Sequence, residues 1–364
     1  MRQAVDKGLQ PLVPATIVSR PPGAQYMTLD TRVPEVSFAI ETVRRAGQLA
    51  RRIRTDMAML KLTKSDMSPV TVADFAVQAC VSHDLEDAFP EDALVAEERS
   101  SELRVSERAM EAVTRFVGEC VSGAGAEEVR RWVDRGAGET AGRFWSLDPI
   151  DGTKGYLRGG QYAVALALVQ GGAVQLGVLG CPGLHGTCKP GARGGGVIVA
   201  AVRGHGTWAM PLDGVAELAR LHVSDCRVPA SARLLRSHEA GHTNVAQVEA
   251  FVCTVGIQAP PVLMDSQAKY AVLSSGHAEV LLRLLSPDAL DYKEKIWDQA
   301  AGALVIEEAG GRVTDLDGEN LDFSAGRALI HNRGLVASNG RLHEAVLEAL
   351  ARVEKPPENP SDWD

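Results

Sequence analysis

The stretch Trp145-Ser-Leu-Asp148-Pro-Ile-Asp151-Gly-Thr153-Lys-Gly-Tyr156 ends a short apolar run with two nearby carboxylates. Pro149 fixes its own φ and biases the preceding residues toward extended backbone, so the sequence predicts a strand that ends and turns here. Two carboxylates this close repel each other unless a divalent cation lies between them. Gly152 permits backbone N–H groups to approach an oxyanion, and a helix beginning there would add its positive end. Taken alone, the stretch fits either a polar turn or a metal-phosphate site.

Length and composition indicate a folded, acidic protein. The 364 residues suffice for one large layered domain or two joined subdomains. A net charge of −9 supplies no basic field for a nucleic acid polymer or an anionic membrane, so neither partner is expected. The longest apolar runs are too short for a transmembrane helix. A small anionic substrate remains compatible with this charge, because a metal and a few local cations can recruit it.

The six cysteines are scattered along the chain, a pattern typical of reduced thiols rather than of a disulfide framework. Cys181 and Cys188 flank His185, but this spacing matches no zinc-site pattern. Structural cysteines are therefore favoured over metal ligands or redox sensors. The full set is Cys80, Cys120, Cys181, Cys188, Cys226 and Cys253.

The two ends of the chain are predicted to lie outside the folded body. Residues 1–34 contain five prolines and no sustained periodicity, which indicates a flexible N-terminal extension. Its basic residues leave a chloroplast or mitochondrial transit peptide as an alternative, but Asp6 and Asp30 weaken it, and no secretory hydrophobic region is present. A cytoplasmic location is favoured. Residues 354–364 are expected to form a disordered tail.

Residues 35–214 are predicted to form an N-terminal α+β subdomain. It begins with a helix from Glu35 to about Met57, whose arginines form a solvated face or meet a partner subunit. A strand or hairpin from Leu60 follows, and Asp74 is placed as the N-cap of the next helix. The strand Ala93–Ala96 ends in two acids, and the apolar segments after residue 162 predict an antiparallel meander.

Residues 215–353 are predicted to form a C-terminal α/β subdomain, because strands and helices alternate there. Asp265 or Ser266 is a plausible cap for a helix that continues through Tyr270. Asp298 lies close to the start of another helix, which Gly310 and Gly311 end, and N-capping is its ordinary explanation.

Five acids, from four segments that are far apart in sequence, thus stand at the predicted ends of elements. Each has an ordinary explanation as a cap, a turn residue or a solvated side chain. Carboxylates collected at the ends of strands are also the oxygen ligands that Mg²⁺ prefers. The acids are Asp74, Glu97, Asp148, Asp151 and Asp298.

Three motifs, in this order, resemble the lithium-sensitive, magnesium-dependent phosphatase superfamily. That group includes inositol monophosphatases, inositol polyphosphate 1-phosphatases, fructose bisphosphatases and 3′(2′),5′-bisphosphate nucleotidases. The resemblance spans about residues 35–350 and implies a layered αβαβα sandwich of the α/β (α+β) class. The motifs are Glu97-Glu98, Asp148 to Thr153, and Trp297-Asp298 followed by small residues and Gly310-Gly311.

Further segments resemble the bisphosphate nucleotidases within that group. They are Ser68 to Asp74, Asp151 to Tyr162, Asp265 to Tyr270 and Lys293 to Asp298. The resemblance implies Mg²⁺-dependent hydrolysis of adenosine 3′,5′-bisphosphate to AMP and phosphate in sulfur metabolism, with 3′-phosphoadenylyl sulfate as a second substrate, by a monomer or homodimer. The alternatives are an inositol phosphatase and a non-catalytic nucleotide sensor; the complete ligand set and Thr153 argue against the sensor.

The resemblance also implies a role for each site residue, with two to three Mg²⁺ ions. Glu97, Asp148 and the carbonyl of Ile150 would hold one ion. Asp148, Asp151 and Asp298 would hold a second, and Asp74 with Glu97 would position a third or its waters. Thr153, hydrogen-bonded to Asp74, would accept the proton of the attacking water. The N–H groups of Gly152 and Thr153 would hold phosphoryl oxygens, and the nucleotide would contact His238, Ser266, Lys269, Arg283 and Asp298.

Overall fold

The computed structural model describes residues 29–59, 69–103, 106–186, 188–190, 194–214, 218–238, 244–285, 289 and 291–354. These ranges contain ten α-helices and twelve β-strands. The described residues exclude most of the N-terminal extension, the tail from residue 355, and residues 60–68, the first part of the predicted strand or hairpin from Leu60. The remainder of that segment, from Pro69 to Asp74, is helical, so the prediction is wrong there.

A seven-stranded sheet occupies the N-terminal part of the chain. Its strands are β1 (Ala93–Ala96), β2 (Arg143–Asp151), β3 (Ala163–Gln170), β4 (Ala173–Cys181), β5 (Val197–Val202), β6 (Gly206–Pro211) and β7 (Ala219–Leu221). They lie side by side in sequence order, with β1 parallel to β2 and all later neighbours antiparallel. The predicted meander is therefore confirmed. Strand β7 belongs to this sheet although it lies beyond residue 215. The predicted division of the chain into two subdomains at residue 215 stays a prediction.

Six helices accompany this sheet: α1 (Pro34–Met59), α2 (Pro69–Ala88), α3 (Ser100–Leu103), α4 (Glu107–Cys120), α5 (Ala126–Arg135) and α6 (Thr153–Leu157). Helices α1 and α2 pack on one face of the sheet, with α4 and α5 against α2. The apolar side chains between them form one hydrophobic core, which includes Ile53, Phe75 and Trp145.

A five-stranded sheet forms the second half of the fold. Its strands are β8 (Leu234–Arg236), β9 (Val262–Leu263), β10 (Val280–Arg283), β11 (Arg312–Thr314) and β12 (Leu335–Ser338), in the spatial order β11-β12-β10-β8-β9. The helices of this half are α7 (Val245–Val255), α8 (Ala268–Ser274), α9 (Ile296–Glu308) and α10 (His343–Glu354). Helices α8 and α9 lie between the two sheets, while α7 and α10 pack together on the outer face. The layers therefore follow the predicted αβαβα order.

Three local interpretations differ from what the structure contains. Asp74 is not an N-cap: helix α2 begins at Pro69, and proline is well suited to the first helical position because its missing N–H has no partner there. Asp298 is not a cap either, since Lys295 holds that position of α9. The cap assigned near Asp265 is partly right, because the Ser266 hydroxyl accepts from the N–H of Ala268 at 3.1 Å.

The arginines of α1 are engaged within the chain rather than forming a simple solvated face. Arg44 donates to the carbonyls of Pro211 and Leu212 at 2.7 and 2.8 Å. Arg51 pairs with Asp213 at 2.7 Å, and Arg45 pairs with Asp84 of α2. These contacts tie α1 to the end of β6 and to α2. The sequence could not reveal them because the partners are distant along the chain.

Candidate active site

The end of β2 carries the two acids of the opening motif on one face. Asp148 pairs with Ala165 and Asp151 pairs with Ala163, so three steps on β2 match two steps on β3. This is a β-bulge, which adds one residue and re-aims the side chains that follow. Without it, residues three apart would point to opposite faces of the sheet. With it, both carboxylates project on the face that meets α8 and α9.

Burial and mutual repulsion dominate the electrostatics of this face. Burial raises the pKa of Asp148 well above its usual range, and the nearby charges of Glu97 and Asp151 add to the effect. The pKa of Asp298 is raised by burial and then by Asp151. Burial also raises the pKa of Asp151, although Lys269 and the backbone N–H of Gln267 oppose it. Repelling carboxylates of this kind are stabilised as anions by a cation.

Two carboxylate oxygens of the cluster are left without partners. Oδ1 of Asp74 and Oδ1 of Asp148 are buried and accept no hydrogen bond from any described residue. Buried polar atoms are normally satisfied, so each of these oxygens is available to ligate a metal or to accept a hydrogen bond from water. Oxygen donors of this type fit a hard divalent cation such as Mg²⁺. Within the described ranges, no group of three or more Asp, Glu, His or Cys side chains is already arranged to hold a metal ion.

Gly152 and Ser266 form a tight contact beside the acids. Gly152 adopts a left-handed conformation with φ of 86° at the start of α6, and a Cβ there would lie 2.6 Å from the Cβ of Ser266. Both the conformation and the space therefore require glycine. Ser266 is itself in the left-handed region with φ of 68°, which is uncommon for a residue with a Cβ. Backbone strain of this kind is often found at functional sites.

Thr153 and Asp74 lie on two helices that contact each other. The two side chains are not hydrogen-bonded to each other. Thr153 is exposed at the start of α6, and α6 packs against α2, which carries Asp74. Burial raises the pKa of Asp74 well above its usual value, and the charges of Glu98 and Glu97 raise it further. The predicted hydrogen bond between the two residues is not present among the described residues.

The cations near the acids lie in a network of paired groups. Lys269 is 4% exposed and donates to the Ser237 hydroxyl at 3.0 Å. Arg283 is held by buried Glu294 through two bonds of 3.2 and 2.8 Å. Burial, and secondarily the charge of Arg283, lowers the pKa of Lys269 to about 8.

This network extends to residues that the sequence did not single out. Gln299 donates to Glu294 at 2.7 Å and accepts from the Tyr270 hydroxyl. Glu294 stands four residues before Asp298, within the Lys293-to-Asp298 segment, yet nothing in its pattern distinguished it from a solvated acid. Glu294 is only 5% exposed, and this burial results from packing between segments that are distant in sequence.

The acids and the cations line one cleft of about 270 Å³. Most predicted site residues contribute to its wall, with Ser237, Asp265 and Tyr292 added by the structure. Two predicted residues do not: Asp74 is buried outside the lining, and His238 is exposed, with its backbone N–H donating to Asp265 at 3.3 Å. The predicted residues in the wall are Glu97, Asp148, Ile150, Asp151, Gly152, Thr153, Ser266, Lys269, Arg283 and Asp298.

Proteins with related sequences cover nearly all of this chain. A 3′(2′),5′-bisphosphate nucleotidase of Schizosaccharomyces pombe is 40% identical over 338 residues, which is 88% of this chain and 95% of that protein. A protein of the same name from Oryza sativa is 39% identical over 337 residues, covering 87% and 93%.

Solved structures support the fold independently. An IMPase from Thermotoga maritima matches with a TM-score of 0.57 at 19% identity, over 88% of this chain and 98% of that one. CysQ from Bacteroides thetaiotaomicron, described as a bacterial member of the inositol monophosphatase family, matches with a TM-score of 0.54 at 18% identity, over 84% and 96%. None of the described helices is long and apolar enough to cross a membrane. The profile of the inositol monophosphatase family matches residues 33–355, and the chain belongs to that family.

Proposed function

We propose that this protein is a Mg²⁺-dependent 3′(2′),5′-bisphosphate nucleotidase. It removes the 3′-phosphate of adenosine 3′,5′-bisphosphate, giving AMP and phosphate, and also acts on 3′-phosphoadenylyl sulfate in sulfur metabolism. The observation that carries the proposal is that one cleft joins a cluster of acids, of which Asp148 is buried, to a buried lysine and an arginine. A substrate with two phosphates matches both ends of such a cleft. The names of the relatives at 39–40% identity support the same substrate class.

The acids would hold two to three Mg²⁺ ions. Glu97, Asp148 and the carbonyl of Ile150 would hold one, and Asp148 would share a second with Asp151 and Asp298. Asp74 with Glu97 would position a third ion or its waters. When bound, the metal supplies a more acidic water and charge stabilisation for the attacking and departing oxygens. The unpartnered oxygens of Asp148 and Asp74 support this assignment.

Thr153 and Asp74 would move the proton from the attacking water. A threonine hydroxyl is a weak base by itself and acts here as a relay to a carboxylate. Thr153 is exposed to the cleft and its hydroxyl can rotate, while the unpartnered Oδ1 of Asp74 can accept a proton or a hydrogen bond. The N–H groups of Gly152 and Thr153 would bind phosphoryl oxygens.

Lys269 and Arg283 would bind the second phosphate, at the 5′ position. Lys269 donates one hydrogen bond to Ser237 and keeps further ammonium donors for an anion. Ser266, His238 and Asp298 would complete the nucleotide contacts. An inositol monophosphate has no second phosphate for these cations, so an inositol phosphatase is the weaker alternative.

A panel of substrates tests the proposal. Phosphate release is measured from adenosine 3′,5′-bisphosphate, 3′-phosphoadenylyl sulfate, adenosine 3′-monophosphate and inositol 1-phosphate, with and without Mg²⁺ and with added Li⁺. Fastest Mg²⁺-dependent turnover of the two 5′-substituted nucleotides, inhibited by Li⁺, is expected. Efficient turnover of inositol 1-phosphate with none on the nucleotides would overturn the proposal.

Two further properties belong to the same proposal. The protein acts in the cytoplasm as a monomer or homodimer, on a small-molecule substrate and without a nucleic acid polymer or a membrane as partner. Sedimentation of the purified protein measures the assembly state, and fractionation of its source cells measures the location.

A further inference from the structure

Arg327 lies in the loop between β11 and β12 and reaches across to the first sheet. Its guanidinium donates to the carbonyl oxygens of Ala96 and Gly136, the second at 3.1 Å. It also lies over the ring of Trp297, with its Cζ 4.9 Å from the ring centroid. No salt bridge joins it to a carboxylate of the described residues. Burial, with the nearby Arg99, lowers the pKa of Arg327 to about 10.

The partners of Arg327 are the immediate neighbours of two site acids. Ala96 precedes Glu97 at the end of β1, and Trp297 precedes Asp298 in the first turn of α9. The backbone of Arg327 is fastened to the same helix, because its carbonyl accepts from the N–H of Ile296 at 3.2 Å. One residue therefore contacts the segments that carry Glu97 and Asp298, which come from different layers of the fold.

We propose that Arg327 is a positioning residue that sets the separation of Glu97 and Asp298 and thereby the affinity of the cleft for Mg²⁺. The inference rests on the proposed function, because that function makes both acids metal ligands. Arginine suits the role because its planar fork can donate to two carbonyls while its face stacks on an aromatic ring. A lysine retains the charge but loses both the fork and the stacking. Arg99 also donates to the Ala96 carbonyl at 3.2 Å, so the strand end keeps one donor when Arg327 is replaced.

Arg135 provides a matched control. It is half-buried like Arg327, burial lowers its pKa, and it donates to backbone carbonyls, including that of Asp92 at 2.9 Å. Those bonds hold the start of β1, whereas Arg327 holds the end of the same strand. Loss of either arginine weakens packing around β1, but only Arg327 touches the segments that carry Glu97 and Asp298.

The test compares Arg327→Ala, Arg327→Lys and Arg135→Ala in the full chain. Mg²⁺ affinity is measured by calorimetry without nucleotide, and kcat, KM and thermal unfolding are measured alongside. Arg327→Ala is expected to weaken Mg²⁺ binding and to lower activity at limiting Mg²⁺ by about 10- to 100-fold, the usual effect of losing a group that orients metal ligands. KM for the nucleotide at saturating Mg²⁺ should change little. Arg327→Lys should resemble Arg327→Ala, and Arg135→Ala should lower thermal stability alone.

Each other outcome counts against the proposal. Unchanged Mg²⁺ affinity in Arg327→Ala, full recovery by lysine, or an equal loss in Arg135→Ala would each overturn it. If Arg327→Ala does not fold, Trp297→Phe, which reduces the stacking surface, takes its place and must also weaken Mg²⁺ binding. Mg²⁺ binding by the unaltered protein without nucleotide turnover would overturn the proposed function alone, while absence of Mg²⁺ binding would overturn both.

Discussion

The acidic and the basic residues of the cleft differ in how their charges are compensated by neighbouring groups. On the acidic side, Asp148 is buried with one oxygen unpartnered, and neighbouring carboxylates raise its pKa further. On the other side, Arg283 is bound by Glu294, and Lys269 donates to Ser237. A buried carboxylate without a partner is stabilised as an anion by a bound cation. A cationic side chain that is already held by neighbouring groups has a fixed position in which it can bind an anion. Under the proposed function, the acids would bind cations and the basic residues would fix where a phosphate binds.

Removal of one acid should produce the largest effect. Asp148→Asn is expected to lower kcat by about 10³-fold, because metal ligation supplies several kcal/mol of transition-state stabilisation and each 1.36 kcal/mol is tenfold in rate. The metal-free variant should be at least as stable as the unaltered protein, since a buried, repelled carboxylate has gone. Kinetics and thermal unfolding with and without Mg²⁺ measure both effects.

Asp92→Asn is the control for that experiment. Asp92 is a carboxylate with partners, because it accepts from Arg143 and from the indole N–H of Trp145, each at 2.9 Å. Its replacement should destabilise the fold and leave stabilisation by Mg²⁺ intact. If Asp148→Asn and Asp92→Asn destabilise the metal-free protein equally, the proposed difference between an unpartnered and a partnered carboxylate is wrong.

Removal of Arg283 should produce an intermediate effect, a higher KM that is confined to substrates with a 5′-phosphate. Arg283→Leu is combined with Glu294→Gln, so that no buried carboxylate is left unpaired. KM for adenosine 3′,5′-bisphosphate should rise about 10- to 100-fold, as expected for a lost charge-assisted hydrogen bond of 1.5–3 kcal/mol. KM for adenosine 3′-monophosphate should change much less. Glu294→Gln alone is the control, and similar losses on both substrates would contradict binding of the 5′-phosphate by Arg283.

The smallest effect concerns pH. The pKa of Lys269 is lowered from 10.5 to about 8, so its charge is present below pH 8 and lost above it. The value of kcat/KM for the bisphosphate, which reports groups of the free enzyme, should therefore fall above about pH 8 by no more than about tenfold per pH unit. In Lys269→Arg the charge persists and this fall should shift to higher pH. If kcat/KM falls over the same pH range in the unaltered protein and in Lys269→Arg, the fall is caused by titration of the acidic residues and not of Lys269.

Local patterns predicted much of the fold. The helical spacing of α1, the apolar run of β1 and the segments of the meander each correspond to an observed element. The sequence pattern predicts the start of α2 wrongly, because Asp74 resembles a cap whereas Pro69 begins the helix. Capping preference is a local property, and burial of the whole helix against the sheet overrides it.

The sequence by itself determined which candidate ligand groups the protein carries: the acids, the glycine and threonine beside them, and the order of the motifs that indicates the family. The tertiary structure decided how they face one another. The bulge in β2 brings Asp148 and Asp151 to one face, and the stacking of two sheets around α8 and α9 places Lys269 and Arg283 in the same cleft. Partners such as Glu294 and Arg327 acquire their roles from contacts between distant segments. Such contacts depend on packing in three dimensions, which residue type and local spacing do not specify.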